Sequence, residues 1–416
     1  MKPTLSSLLQ RFLGTVALAL VTSAGAREQM AFKFNFGGPT APGVISISTT
    51  NIYSDAIGYG FEPGGRVLAA DGGITGTNAF YFSVRLPEGN YRVTVTLGSA
   101  DGPSTTTLKA ELRRLMLYHV QTAPGRFVTR SCIVNVRTPE IAGDGAVRLK
   151  PREKTSERWD WDDQLTLEFN DTRPCVHSLA IARVDVPTVF ILGDSTVCDQ
   201  PVEPWDSWGQ MLPVFFKPEI AIANYAESGE TIADSLARNR FKKVFSLMKP
   251  GDYLFIQFGH NDMKSKRPDA LEQYKADYKK VIAETRAKGG TPVLVTSMER
   301  KAGVKHPTLE GYPEAVRQVA KEEDCPLIDL NRMSVVFYRA LGTNLDKAFV
   351  DGTHHDNYGS YELAKCVVEG IQQDRLPLAK HVVDDFKGFN PAHPDPVDTF
   401  YMPVSPKYSM VKPPGN

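Results

Sequence analysis

Ser195 stands in Gly193-Asp194-Ser195-Thr196, directly after the apolar run Thr188–Leu192 that reads as a strand, so its hydroxyl sits at that strand's carboxyl edge. A serine hydroxyl is a poor nucleophile until a base takes its proton, and a carboxylate commonly holds that imidazole in the working tautomer. Asp351 and His354, in Asp351-Gly352-Thr353-His354 just ahead of the helical stretch Asn357–Gln373, can supply both from one loop. Acyl transfer also builds negative charge on a carbonyl oxygen, which calls for donors fixed in advance. Gly229, in Asn224-Tyr225-Ala226-Glu227-Ser228-Gly229 after a second strand, offers a backbone N–H with no side chain in the way. Asn261, in Gly259-His260-Asn261-Asp262 after a third, offers an amide.

Each piece alone has an ordinary structural account: Gly-Asp-Ser and Gly-His-Asn-Asp are turn chemistry, Gly229 suits a turn into a helix, and Asp351 with His354 or His355 suits a helix start. Their joint order, each at a strand end or ahead of a helix, is what points to nucleophilic acyl transfer. His355 beside His354 leaves the base ambiguous, and the DxxH spacing favours His354.

Secondary candidates surround these. Trp205 and Trp208 follow the serine closely and could wall a ligand subsite or pack beneath the first helix; Trp159 and Trp161 could form an aromatic platform or pack a domain interface. Arg300, Lys301 and Lys305 after the fourth strand, and Lys264, Lys266 and Arg267 after Asn261, are either anion contacts or solvated loop charge. The five cysteines, Cys132, Cys175, Cys198, Cys325 and Cys366, are too few and too scattered for a disulfide scaffold, and read as buried small hydrophobes. The eight histidines form no metal constellation, and serine hydrolysis needs no cofactor.

The elements that must position these residues fall into zones. Residues 1–26 read as a signal peptide: Lys2 and Arg11, an apolar run over Phe12–Val21, then Ala24-Gly25-Ala26, with no cysteine nearby for a lipid anchor. That predicts an exported protein, periplasmic or extracellular. Residues 27–186 read as short alternating runs between Gly, Pro and Asp clusters: Phe32–Phe36, Phe80–Leu86, Tyr91–Leu97, Val128–Val136, Leu165–Phe169 and Ser178–Val184, an all-β sandwich. Thr107–Val120 fits neither the helical nor the strand period.

Residues 187–375 alternate strands (Thr188–Leu192, Ile220–Tyr225, Tyr253–Phe258, Pro292–Thr296, Pro326–Leu330) with helices (Ser207–Phe216, Phe241–Met248, Ala270–Lys288, Tyr312–Glu323, Asn357–Gln373). That pattern predicts an α/β domain, a mostly parallel sheet covered by helices on both faces, with its site at the carboxyl ends of the strands. Residues 376–416 are proline-rich and are expected to run extended over the surface or to be partly disordered.

The 416 residues are 42% hydrophobic and 23% charged, with 48 basic against 48 acidic side chains. These values exclude wholesale disorder and a multi-pass membrane protein, and leave no basic excess to attract nucleic acid. The apolar run of the signal peptide is too short for stable membrane insertion. Oligomeric state is not encoded in any pattern here.

The four blocks around Ser195, Gly229, Asn261 and Asp351/His354 resemble those of the SGNH (GDSL-type) hydrolases over roughly Pro187 to Gln373. Ser195-Thr196 in place of Ser-Leu, the Gly-His-Asn-Asp block, and the stretches Gly193–Gln200 and Trp205–Phe216 are most similar to the rhamnogalacturonan acetylesterases of carbohydrate esterase family 12. The β-rich part looks similar to galactose-binding-like modules found beside such esterases, an analogy without a binding motif. The resemblance implies Ser195 as nucleophile, His354 as base and Asp351 as its partner. Ser195 N–H, Gly229 and Asn261 would form the oxyanion hole, and Arg300, Trp205 and Trp208 are candidate substrate contacts. It further implies a serine esterase deacetylating a plant cell-wall polysaccharide, most readily pectic rhamnogalacturonan. An acetylxylan or lipase-like SGNH esterase and a non-catalytic carbohydrate-binding protein are the alternatives.

Overall fold

The computed structural model describes residues 31–37 and 41–413, so the expected signal peptide lies outside the described residues. Among the described residues the chain first builds twelve strands: β1 (Ala31–Asn35), β2 (Ile45–Ser46), β3 (Tyr59–Phe61), β4 (Val67–Ala70), β5 (Gly73–Gly76), β6 (Phe80–Arg85), β7 (Gly89–Ser99), β8 (Ser104–Ala110), β9 (Arg114–Thr122), β10 (Arg126–Val136), β11 (Gln164–Arg173) and β12 (Cys175–Arg183). They form a seven-stranded sheet along β10-β7-β12-β1-β2, with β5 on β12 and β4 on β5, facing a five-stranded sheet, β3-β6-β11-β8-β9. The period of two that marks a half-buried strand is plain in β7, where Tyr91, Val93, Val95 and Leu97 are buried and Arg92 is exposed. Between the sheets Phe34, Phe36, Phe61 and Phe82 meet largely edge-on, the geometry aromatic quadrupoles favour.

The stretch Thr107–Val120 proves to be a hairpin, β8 and β9. Its connection, Glu111-Leu112-Arg113, explains the broken period. Glu111 (φ 55°) and Arg113 (φ 64°) lie in the left-handed region, which costs non-glycine residues about 1–3 kcal/mol each unless the surroundings hold them there.

The second unit carries five parallel strands, β13 (Thr188–Gly193), β14 (Ala221–Asn224), β15 (Tyr253–Gln257), β16 (Thr291–Val295) and β17 (Leu327–Ile328), in the order β14-β13-β15-β16-β17. Seven helices accompany them: α1 (Trp208–Met211), α2 (Ile232–Ala237), α3 (Arg240–Leu247), α4 (Ala270–Ala287), α5 (Tyr312–Glu322), α6 (Leu330–Leu341) and α7 (Asn357–Gln373). Alternate strand residues feed two cores. Val189, Ile191, Phe255, Val293 and Val295 pack with α1, α6 and α7, while Phe190, Leu192, Leu254, Ile256 and Leu294 pack with α3, α4 and α5. The chain leaves β13 toward β14 and then returns past it to β15, so the switch point, where crossovers diverge and leave a crevice, falls at the end of β13.

Three elements differ from expectation. Leu330, read as the last residue of a strand, opens α6, because Asp329 caps the helix by accepting from Arg332 N. The short α2 is started by a Thr231/Asp234 capping box hidden behind Gly229. The helix expected over Ser207–Phe216 is one turn of α1 followed by a tighter turn, Leu212–Phe215, since Pro213 has no N–H to continue the ladder.

The proline-rich tail is irregular, yet it does not simply run over the surface. It is a strap laid into the seam between the two units, with Met402 and Ser405 buried. Lys109 Nζ donates to Pro403 O and Ser405 Oγ, both at 2.8 Å, and Tyr118 Oη donates to Tyr401 O. Glu203 N donates to Lys407 O (2.8 Å), Ser409 N to Glu203 O (2.7 Å) and Trp205 Nε1 to Ser409 O (3.0 Å). Among the described residues no helix is long and apolar enough to cross a membrane.

Candidate active site

β13 ends in Gly193, where a Cβ would stand 2.7 Å from Gln257 O, so only glycine lets the chain turn sharply into Asp194-Ser195. Ser195 Oγ and His354 Nε2 are 2.9 Å apart. On the far side of the ring, His354 Nδ1 lies 3.0 Å from both oxygens of Asp351. The carboxylate is itself pinned, accepting from the backbone N–H of Thr353 and of His354 at 2.7 Å. Partial burial opposes its charge, but His354 and these two donors outweigh that and hold the Asp351 carboxyl well below the usual range. An ionised Asp351 fixes the Nδ1–H tautomer, leaving Nε2 free to accept the serine proton.

Gly229 has φ 72°, the left-handed turn that brings its loop out of β14. Asn261 follows β15 and gives one amide hydrogen to Glu230 O (3.1 Å), leaving the second unengaged. The two blocks are tied again where Ile232 N, at the start of α2, donates to Asp262 Oδ1 (3.0 Å). Asp194, wholly buried, accepts from Thr196 N and Oγ1, with His260 Nδ1 at 3.4 Å; burial raises its carboxyl, and His260 and Thr196 more than reverse that. His260 is anchored at its other nitrogen to Met298 O (3.0 Å).

The nucleophile loop is also held from the β-sandwich, through residues that sequence reasoning did not single out. Gln200 Nε2 donates to Ser195 O (2.7 Å), Gln200 N to Gln210 Oε1 (3.2 Å), and Gln210 Nε2 to Leu112 O in the β8–β9 connection (2.6 Å). Beside this chain, Arg113 donates to Gln200 O and Trp205 O and pairs with Glu203 (2.8 Å) and Asp206 (3.3 Å); Arg114 pairs with Asp199 (2.6 Å) and Asp160 (2.9 Å). Glu203 is buried, which alone would raise its carboxyl, but Arg113 and Lys109 hold it down. The strained Glu111-Leu112-Arg113 turn is thus the part of the sandwich that grips the catalytic loop. From the β10–β11 connection Lys150 and Arg152 donate to Ser228 O, clamping the Gly229 loop. No period or motif announces any of these contacts.

Several candidates fall elsewhere. Trp208 is fully buried, its indole N–H on Gln257 Oε1 (2.9 Å), and belongs to the core rather than to a ligand wall. Trp205 meets the His354 ring edge-on at 5.5 Å but is only 2% exposed, so it supports the imidazole and offers no open stacking face. Trp161 is buried between Tyr225, Arg137 and Arg240 as interface packing. Arg300 does reach the site, giving an N–H to His260 O (3.2 Å). His355 sits between Tyr338 and Phe349 with its Nε2 on Tyr338 Oη (2.8 Å); burial, then His354, push its pKa down to about 3, so it is a neutral packing group. All five cysteines are buried and unbridged, and burial pushes the Cys198 thiol well up, away from reactivity. Among the described residues no group of His, Cys, Asp and Glu could hold a metal. A groove of about 790 Å³ between β9, Phe215 and residues 383–395 has no triad residue in its lining.

A parallel sheet covered on both faces, with Ser, His and Asp linked at the carboxyl edge and two donor-bearing loops beside them, is the arrangement of a serine hydrolase. Residues 191–359 match the GDSL-like Lipase/Acylhydrolase family. The chain is 35% identical over 219 residues to rhamnogalacturonan acetylesterase RhgT of Bacillus subtilis (strain 168), spanning 47% of this chain and 94% of that protein. It is 27% identical over 393 residues to the protein named "Uncharacterized esterase YxiM" of the same organism, covering 86% and 94% of the two chains. A crystal structure of YxiM aligns with 84% of this chain and 99% of its own at 24% identity and a TM-score of 0.45. The protein belongs to the GDSL-like (SGNH) lipase/acylhydrolase family and is an esterase.

Proposed function

We propose that this protein is an exported esterase that removes acetyl groups from a plant cell-wall polysaccharide, pectic rhamnogalacturonan. The observation that carries the reading is the Ser195–His354–Asp351 chain of contacts at the sheet's switch point. The substrate class is supported by two relatives, one named rhamnogalacturonan acetylesterase RhgT and one, at 30% identity over 212 residues, named "Probable rhamnogalacturonan acetylesterase YesY".

In this mechanism Ser195 Oγ attacks the acetyl carbonyl carbon as its proton passes to His354 Nε2. The oxyanion is met by the N–H groups of Ser195 and Gly229 and the free amide hydrogen of Asn261. The C–O bond to the sugar breaks, the sugar oxygen takes the proton from His354, and acetyl remains on Ser195. Water then gives a proton to His354 and attacks the acyl carbon; acetate leaves, and the proton returns to Ser195. Export rests on the apolar segment ahead of Arg27. The test is acetate release from acetylated rhamnogalacturonan, xylan and chitin by the wild type and Ser195→Ala. Serine-dependent release that is greatest on rhamnogalacturonan supports the reading, and release no better than on xylan sinks the pectic assignment. Export is tested on secreted material, whose N-terminus is expected near Arg27.

A further inference from the structure

Three cations converge on the catalytic constellation from three separate segments. Lys264 Nζ donates to Asn261 Oδ1 (2.7 Å), Arg300 Nη2 donates to His260 O (3.2 Å), and Lys412, on the strap, places Nζ 3.4 Å from Asp351 Oδ2. The loop that carries Arg300 is fixed to the catalytic loop, since Lys301 N donates to Gly352 O (3.1 Å). These cations are therefore rooted on Asn261, His260 and Asp351, three residues of one site.

Two of them, Lys264 and Arg300, are set apart by their pairing from the charges around them. Nearby Arg267, Lys301 and Lys347 are neutralised by Asp269, Asp346 and Asp398. Among the described residues neither Lys264 nor Arg300 has a carboxylate partner, and Arg300 Nε is buried without an acceptor. Burial, Arg300 and Lys412 together lower the Lys264 ammonium, which places the three charges within electrostatic reach of one another. The acids close by are already engaged: Asp351 on His354, Asp194 with His260 and Thr196, and Glu299 Oε1 by Arg300 N and Thr308. Lys264 and Arg300 thus have no carboxylate of their own, Lys412 shares Asp351 with His354, and water reaches the rim, since Lys412 is 48% exposed.

We propose that Lys412, delivered by the C-terminal strap, completes with Lys264 and Arg300 a subsite beside the triad that binds a carboxylate of the substrate, a uronate residue of an acidic polysaccharide. This inference rests on the reading of the protein as a pectic acetylesterase and adds to it a specificity determinant outside the matched stretch 191–359. The strap then has a purpose beyond joining the two units: it carries the third cation to the acyl site.

The test uses the full chain and a small neutral ester, p-nitrophenyl acetate, with trigalacturonate, neutral xylotriose or inorganic phosphate as inhibitor. Each inhibition constant is taken against the same variant's own uninhibited rate. Trigalacturonate should compete and xylotriose should not. Lys412→Ala should raise the trigalacturonate constant roughly tenfold, the size of one charge-assisted hydrogen bond, and Lys412→Arg should restore it. Lys347→Ala, a paired surface lysine, should leave it alone. Equal inhibition by the two trisaccharides, or an unchanged constant in Lys412→Ala, overturns the proposal, and phosphate competing as well as trigalacturonate overturns the uronate assignment. Failure of the pectic reading is seen separately, in acetate release from polymer by the wild type.

Discussion

The interior of the β-sandwich and the seam where the sandwich meets the catalytic unit are both buried, but they are made of opposite materials. The interior is Phe, Val, Leu and Ile at alternate positions. The seam is Lys109, Arg113, Arg114, Arg137, Asp160, Glu168, Asp199, Glu203 and Asp206, all under a tenth exposed; Lys109 and Arg113 pair across the boundary with Glu203, Arg113 also with Asp206 and Arg114 with Asp199, while Arg137–Asp160 and Lys109–Glu168 back them from the sandwich side. Apolar packing is forgiving, because shape and volume can be met by many residues. A buried ion pair is not, because removing one partner leaves the other charged and dry. The sandwich interior therefore stabilises the fold, while the seam fixes where the nucleophile loop sits.

That contrast can be broken at several points. The largest effect calibrates the rest: Ser195→Ala and His354→Ala should each lower ester hydrolysis by several orders of magnitude, because they act as one unit, while His355→Ala, a packing change, should mainly lower Tm. A silent His355→Ala enzyme with an active His354→Ala enzyme would reverse the assignment of the base.

Next comes the direct comparison. Arg113→Ala should cost about 3–5 kcal/mol of stability and also lower kcat of the folded fraction roughly 10–100-fold, since it frees the loop that positions Ser195. Leu97→Ala, in the sandwich interior, should cost about 2–5 kcal/mol and leave kcat per folded molecule unchanged. Urea titrations paired with active-site counting separate the two, and equal kcat losses in both variants would abolish the distinction.

A finer cut is Gln210→Leu, which severs Leu112 O from Gln200 at nearly constant volume. Losing its three hydrogen bonds removes the partner that Gln210 gives to the buried Gln200 N–H and Leu112 O, so Tm should fall and kcat of the folded fraction should drop roughly fivefold with KM little moved. If KM rises instead, the chain through Gln210 positions substrate, not serine.

The effect with the least bearing on rate lies inside the catalytic unit and is read in stability. Burial pushes the Asp262 carboxyl up to about 7 from an ordinary 3.8, against the N–H it accepts from Ile232. The folded protein therefore keeps a proton that the unfolded chain releases above about pH 4, so this group's stability is present at low pH and is lost as pH rises toward about 7. Asp262→Asn should flatten the urea midpoint over that range, and parallel curves for the two proteins would refute the assignment.

The same contrast governs what could be read without a structure. The sandwich strands and most of the catalytic unit were legible because period-two and helical runs record what is buried apolar. Ser195, Asp351 and His354, which the structure links in one chain of contacts, could be picked out because their types are tied to chemistry and each follows a strand or precedes a helix; Gly229 and Asn261 were singled out by the same reasoning. The seam was not, since Arg113 pairing with Glu203 leaves no trace in either residue's neighbours. Asp329 as a cap was missed because Pro326–Leu330 also satisfies a strand, and tertiary context chose the helix. The tail misled for the same reason: prolines record an extended chain, and nothing in them records that Ser405 and Ser409 dock on Lys109, Glu203 and Trp205.

The strap also sets an order of events. Its bond from Lys109 to Ser405 spans 296 positions of sequence, and Arg113 to Asn357 spans 244. Contacts so remote are slow to find, because the entropy of closing the intervening loop is lost before the contact rewards it. Each core can condense from nearer neighbours first, which makes the seam and strap the closing step of self-assembly. After dilution from denaturant, far-ultraviolet circular dichroism should then recover ahead of esterase activity, the lag marking the time the last stretch of chain takes to reach its berth.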